Sequence, residues 1–489
     1  MSLNSFAKER HGNEKKLLVL DQSKPVIPAW LIWIQCIAFV VLYAVWILPE
    51  IVGIRNTALV VGALAGLYPI YQFRELLLQK TAIPIWLMVG LFIWASLHLF
   101  FLSQDYGVQL LEFKRIWKYA AIGAIFAFGL GLSLGVDSSN KGSYPQVVKV
   151  TYWRIIFLGL CAPLLIYLIK YVLTGYGAKL DLHVPAYLQI YSSAQPYYVP
   201  KTDYVAFGLP PLAIALGQIQ TLLDNNLRLT LRQYLQMFGY LTLIGATLFL
   251  FYIQDIKNGM AYAVICIGFF VLFMPLRISG GNWWKKTAII LVALSCLVVA
   301  LYPHVQKNDS WRTLLADARV AWQTDLYQHW KYAGAQGYPN NEKGKMVSVT
   351  NYERVAWFKI GVGLAADTPL GYGLVEDSFK RMAKAKWPEV SANLSHSHSG
   401  WLDVVLAVGI PGFSLLLGAL IMCIRQSRDI KNPWRSLVFW GLFSIGILWI
   451  TTEVSATVTF AALIFWLCWS CALTLQVNCL KSLIKPVEN

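Results

Sequence analysis

Apolar positions in this chain neither alternate nor keep to one helical face; they run on. Stretches of roughly 18 or more mostly apolar residues, bounded by charges or by Pro, Gly and Asn, recur along almost the whole length. Wound as a helix, such a stretch crosses a hydrocarbon core about 30 Å thick. The pattern predicts twelve helices, near 26–48, 51–72, 81–103, 116–136, 152–174, 204–223, 233–253, 258–276, 286–303, 401–424, 435–452 and 456–479. Pro210 and Pro211 interrupt the sixth, and the seventh and eighth stand close together. The fold class expected is all-α and polytopic. Its parts are a polar basic tail (1–25), nine helices (26–303) with a Tyr/Pro-rich loop at 175–203, a long loop (304–400), three helices (401–480) and a short tail (481–489). The first apolar run is longer than a signal-peptide core and no small-residue cleavage site follows it, so it reads as an uncleaved span.

Composition agrees. Of 489 residues, 57% are hydrophobic and only 13% charged, against about 25% charged in soluble proteins. In a soluble chain a net charge of +16 would suggest nucleic acid, but here the cations are sorted by side. One set of connections and both tails hold twenty-one Lys and Arg, and the short connections of the other set hold eight. By the positive-inside rule both termini are cytoplasmic. The 304–400 loop then lies outside, and its twelve cations do not count against this because long loops translocate regardless of charge. Within it Trp311, Leu314, Leu315, Ala318, Trp322 and Leu326 recur at helical spacing, and a second helix is predicted over 351–366. The eight cysteines lie in or beside apolar runs, which indicates neither a disulfide framework nor a zinc site. Cys468 and Cys471 read as packing residues.

Candidate chemistry gathers where the long loop re-enters the membrane, at Ser395-His396-Ser397-His398-Ser399-Gly400-Trp401-Leu402. Two of only seven histidines stand there, one residue apart, beside an interfacial tryptophan. An imidazole at a membrane boundary can accept a hydroxyl proton near neutral pH. Interfacial histidines at a helix start, with serines as caps, would look the same, and the residues alone leave both readings open. Arg55 inside the second apolar run, and Asp403 and Glu453 at outer helix ends, are further candidates.

The stretch His398-Ser399-Gly400-Trp401-Leu402 resembles the His-(Ser/Asn)-x-x-Leu signature of the O-antigen ligase/polymerase superfamily. Arg354-Val-Ala-Trp357 and Asp367-Thr-Pro369-Leu370-Gly371-Tyr-Gly373 resemble the family's Arg…Trp and Asp-x-Pro-Leu-x-Gly-x-Gly stretch. The resemblance implies a GT-C-like glycosyltransferase of the bacterial inner membrane, with its active site facing the periplasm. Such an enzyme moves polysaccharide from undecaprenyl pyrophosphate to a sugar hydroxyl of lipid A–core, by inverting transfer without metal or cofactor. It implies His398 as the base or the residue positioning the acceptor, with His396 orienting it or touching sugar. Lys257, in Gln254-Asp255-Ile256-Lys257-Asn258-Gly259, stands where the family carries arginine. Lys257, Arg354 and Arg55 become candidates for the donor pyrophosphate, and Glu453 and Asp403 for supporting roles. The partners implied are the two lipid substrates and membrane lipid, with no nucleic acid.

Three other readings compete. An O-antigen polymerase would extend one lipid-linked glycan with another, and its Arg-x10-Gly spacing is absent after Arg312, Arg319, Arg354 and Arg381. A protein O-oligosaccharyltransferase would use a protein acceptor. A lipid or glycan transporter would place ionisable groups near the bilayer midplane and show broken helices and repeats. His98 and the Pro210-Pro211 pair are the nearest approach to that.

Overall fold

The structure is a computed structural model and describes residues 27–139, 146–191, 196–225, 230–277, 309–452 and 456–475, with single helical positions between 284 and 306. Among the described residues there is no strand, only one isolated bridge between Asn340 and Met346. Among the described residues seven helices are long and apolar enough to cross a membrane, and Ala29–Val45, Lys257–Phe273 and Trp434–Leu448 are shorter apolar helices. Helices stand at eleven of the twelve predicted places. The ninth, 286–303, lies mostly outside the described residues, as do both tails. The chain is therefore a multi-pass membrane protein.

Lys201–Asn225 runs unbroken through Pro210 and Pro211. Helices cross closely where small residues meet, which is how packing is gained when lipid supplies no hydrophobic drive. At Gly66 and Gly129 a Cβ on the latter would stand 2.3 Å from the Cα of the former. Cys468 and Cys471 are fully buried on Ala461–Leu475, and Cys471 Sγ lies 3.5 Å from Cys423 Sγ. They pack helices together.

Buried apolar residues form two cores. The larger joins the membrane helices. The smaller belongs to the outer segment and includes Val320, Trp330, Tyr352, Trp357, Phe379 and Leu394. Its framework is the helices Asp309–Trp322, Val349–Asp367 and Ser378–Lys386. On Val349–Asp367, Tyr352, Ala356, Ile360 and Leu364 recur every fourth residue and are buried. A polar hub fastens this segment. Asp317, fully buried, accepts from Thr313 Oγ1 (2.7 Å), Asn341 Nδ2 (2.9 Å), Asn351 Nδ2 (2.9 Å) and Ser348 N (3.2 Å).

The helix Gly400–Gln426 joins the two cores. Leu402 and Leu406 belong to the outer one, and Val404, Ala407 and Val408 to the membrane one. It also breaks once, at Gly409, whose φ of 69° and ψ of −179° are not helical. Pro411 has no N–H to offer the carbonyl of Ala407, and in lipid an unsatisfied carbonyl is costly. The Pro369–Gly373 turn supplies what is missing. Tyr372 N donates to Leu406 O (2.8 Å), Gly373 N to Ala407 O (2.7 Å) and Ile410 N to Pro369 O (2.8 Å), while Trp94 Nε1 takes Val408 O (2.6 Å). Gly371 has φ 84°, and a Cβ there would stand 2.4 Å from Gly409 N. The Asp-x-Pro-Leu-x-Gly-x-Gly stretch is thus the brace of a broken helix. His98 serves the same brace, its ring held between Gly371 O (3.3 Å) and Gln109 Nε2 (3.1 Å).

Candidate functional site

The Ser-His-Ser-His-Ser alternation has a geometric meaning. Ser397 is fully buried, and its N–H (2.9 Å) and hydroxyl (2.6 Å) both donate to Asp403 Oδ1. Ser399 donates its N–H to Ser397 Oγ (3.3 Å) and caps the following helix. Fastened on both sides, His398 takes a left-handed backbone, φ 60°, at a cost of about 1–2 kcal/mol. Strain of this kind persists only where the surroundings impose it, and it clusters at functional sites. The serines face the protein, and the histidines meet each other and Trp357.

His398 lies flat on Trp357, with ring centroids 4.9 Å apart and planes 5° from parallel. His396 stands edge-on to His398 at 4.6 Å and 83°, its Nδ1 2.6 Å from Ser395 Oγ. Trp357 is itself held, its Nε1 donating to Trp330 O at 3.1 Å. The start of the helix is pinned as well, since Trp401 N donates to Trp449 O (3.2 Å) and Trp401 Nε1 to Gly446 O (2.9 Å).

Trp357 shares its helix face with Glu353 and Arg354, four and three residues earlier. Arg354 Nη1 donates to Asn258 Oδ1. Beside Asn258, Lys257 Nζ donates to Ser310 Oγ at 2.7 Å. Lys257 lies close enough to Arg354 and Lys201 to feel their charge, with Asp255 as the nearby anion. Glu353 accepts from the Tyr338 hydroxyl. Burial pushes the Glu353 carboxyl above its ordinary range, opposed by the Tyr338 hydrogen bond and the His396 charge. On another side of His396 a cavity of about 130 Å³ is lined by Glu376, Ser378, Ser395 and Asp403. Glu376 forms an ion pair with Arg115, and its N–H donates to Glu112 Oε2 at 3.0 Å.

Of the residues expected at the site, His396 and His398 share one loop, Asp403 in the first turn of the next helix fastens it through Ser397, and Lys257 and Arg354 meet through Asn258. Arg55 is elsewhere, its Nη1 donating to Trp46 O (3.1 Å) in a crevice with Arg115. Glu453 lies outside the described residues. Asp367, at the end of the same helix as Arg354, pairs with Lys386 at 2.6 Å. Among the described residues no three His, Cys, Asp or Glu side chains group as a metal site requires. Lys201, Asn258 and Ser310 carry no sequence signal that marks them as neighbours of these cations. Glu353 had only its place beside Arg354 to mark it.

These features define a membrane protein with a histidine pair at the N-terminal end of a broken helix, with Lys257 and Arg354 on neighbouring helices. Residues 241–417 match the family model described as O-antigen ligase, which supports a place in the O-antigen ligase superfamily. The match takes in Lys257, Arg354, Trp357, His396, His398 and Asp403, and leaves out Arg55 and Glu453. No curated protein and no solved structure matches the chain. The match supports a function of the O-antigen ligase or polymerase type in general.

Proposed function

We propose that this protein is the ligase proper, joining a polysaccharide carried on undecaprenyl pyrophosphate to a sugar hydroxyl of lipid A–core. It works at the periplasmic face of the bacterial inner membrane, with both termini in the cytoplasm and a GT-C-like arrangement of about twelve spans. The observation that carries the reading is the His398–Trp357 stack one helical turn from Arg354, which reaches the residue next to Lys257.

In the transfer, an acceptor hydroxyl attacks the anomeric carbon of the donor sugar from the side opposite the pyrophosphate. The bond from that carbon to the phosphate oxygen breaks, and its electron pair leaves with the lipid pyrophosphate. A new carbon–oxygen bond forms with inversion, and the hydroxyl proton passes to a ring nitrogen of His398. Lys257 and Arg354 sit where fixed positive charge would meet the charge growing on the leaving group. Lysine does this as a point charge, arginine as a planar fork.

The test is a reconstituted membrane system with purified donor and lipid A–core, in the presence of EDTA. The intact protein caps lipid A–core, and His398→Ala loses at least about a hundredfold in rate, the lower range for general-base catalysis. Lengthened lipid-linked glycan from the intact protein would instead make it a polymerase. Absence of both products from folded protein would remove the ligase reading.

A further inference from the structure

The short outer connections are poor in cations, yet four of their eight fall in one neighbourhood: Arg55, Lys114, Arg115 and Lys118. Positive charge on the outer side runs against the usual insertion bias, and Arg55 sits on an apolar helix, where charge is expensive. Arg55, Asn56, Arg115 and Tyr119 line a single crevice of about 130 Å³, whose other walls are apolar, Leu42 and Leu59 among them. Asn56 Nδ2 lies 3.4 Å from Tyr119 Oη, and the Lys118 ammonium is 5.3 Å from the Tyr119 ring. The bond from Arg55 to Trp46 O uses one of the five N–H donors of a guanidinium.

Backbone geometry adds an independent sign. Phe113–Trp117 is a π-helical turn set between the helical segments Tyr106–Glu112 and Lys118–Ser139. Such bulges re-aim side chains and recur at functional sites. This one carries Lys114 and Arg115. A guanidinium pair at the head of an apolar slot has the form of an amphiphile with an anionic head.

We propose that this crevice seats the phosphate of a lipid substrate, with its chain along the apolar wall. Arg115 already holds an anion, the carboxylate of Glu376. An arriving phosphate therefore exchanges one negative partner for another and leaves no guanidinium uncompensated. Glu376 also lines the cavity that holds His396, so the exchange at Arg115 is felt at the histidine pair. The identity of the lipid rests on the ligase reading: it is either the phosphorylated acceptor or the donor held before its pyrophosphate reaches Lys257 and Arg354.

Binding is measured without turnover, by native mass spectrometry of the full-length protein titrated with four probes. These are undecaprenyl pyrophosphate, undecaprenol, lipid A and lipid A stripped of its phosphates. Within one of the two pairs the phosphorylated lipid binds more tightly. Arg55→Gln and Arg115→Gln reduce that preference about tenfold or more, the loss of one charge-assisted contact. Arg55→Lys and Arg115→Lys keep the charge and most of the preference, and they stand in if a Gln variant fails to fold. The pair that responds names the substrate. If folded variants bind all four probes as the intact protein does, the crevice is not a phosphate seat. Transfer assays on the same preparation separate the two ideas. Capped product without phosphate preference removes the crevice alone, and phosphate-dependent binding without any product removes the ligase reading alone.

Discussion

His398 keeps its left-handed backbone because Ser397 and Ser399 are fastened on either side of it, and it keeps its ring plane because Trp357 lies beneath it. Stacked aromatic pairs contribute about 0.5–1.5 kcal/mol beyond their buried area. Trp357→Phe retains bulk but shrinks the platform and loses the bond to Trp330 O. It is expected to lower the transfer rate roughly threefold to tenfold with little change in melting temperature. Trp357→Ala leaves a buried cavity and costs about 3–5 kcal/mol of stability. Steady-state rates alongside thermal melts decide this, and an unchanged rate in a folded Phe variant would end the positioning role. The histidines were legible because two of seven stood together at a helix start. Trp357 was legible only as a letter of the motif, since its stack on His398 is a tertiary contact between segments far apart in sequence.

Among elements, the outer segment depends on one carboxylate. Burial alone would raise the Asp317 pKa, but the bonds from Thr313, Asn341, Asn351 and Ser348 outweigh it and hold it below the ordinary value. A depressed pKa in the folded state means stability that is present above the unfolded value, about 4. It is lost as pH falls through the folded one. Acid should therefore loosen this segment, seen as a change in the fluorescence of Trp311, Trp322 and Trp330. Asp317→Asn should flatten that acid loss while costing about 1–3 kcal/mol at neutral pH. A variant with the same acid profile as the intact protein would refute this. The membrane helices were plain from their apolar runs and Val349–Asp367 was predicted over 351–366, whereas the short helix Ser378–Lys386 was not predicted. Nor was the break at Gly409, because the 401–424 run stays apolar on both sides of it. Only the carbonyls claimed by Tyr372 and Gly373 reveal it.

For the whole molecule, the sidedness argument rests on where cations fall, a property that any fold of these helices shares. It predicts that single cysteines placed at Lys343 and Glu389, both in the outer segment, react with a membrane-impermeant maleimide added outside intact cells freed of the outer membrane. Cysteines at Lys8 and Lys485 should react only after lysis. Labelling of the tails from outside would invert the orientation and put the histidine pair on the wrong side for the donor. The native cysteines described are all buried, which keeps the background low.

The helix from Gly400 to Gln426 lends Leu402 and Leu406 to one core and Val404, Ala407 and Val408 to the other. Two bodies that own the same two turns of backbone cannot melt or swing apart one at a time. Opening a path for a bulky glycan by hinging the outer segment away would strip apolar side chains from both cores at once. On the proposed ligase reading the substrates then enter sideways from the bilayer, between helices that stay put, and the protein serves as a fixed frame past which two lipids slide.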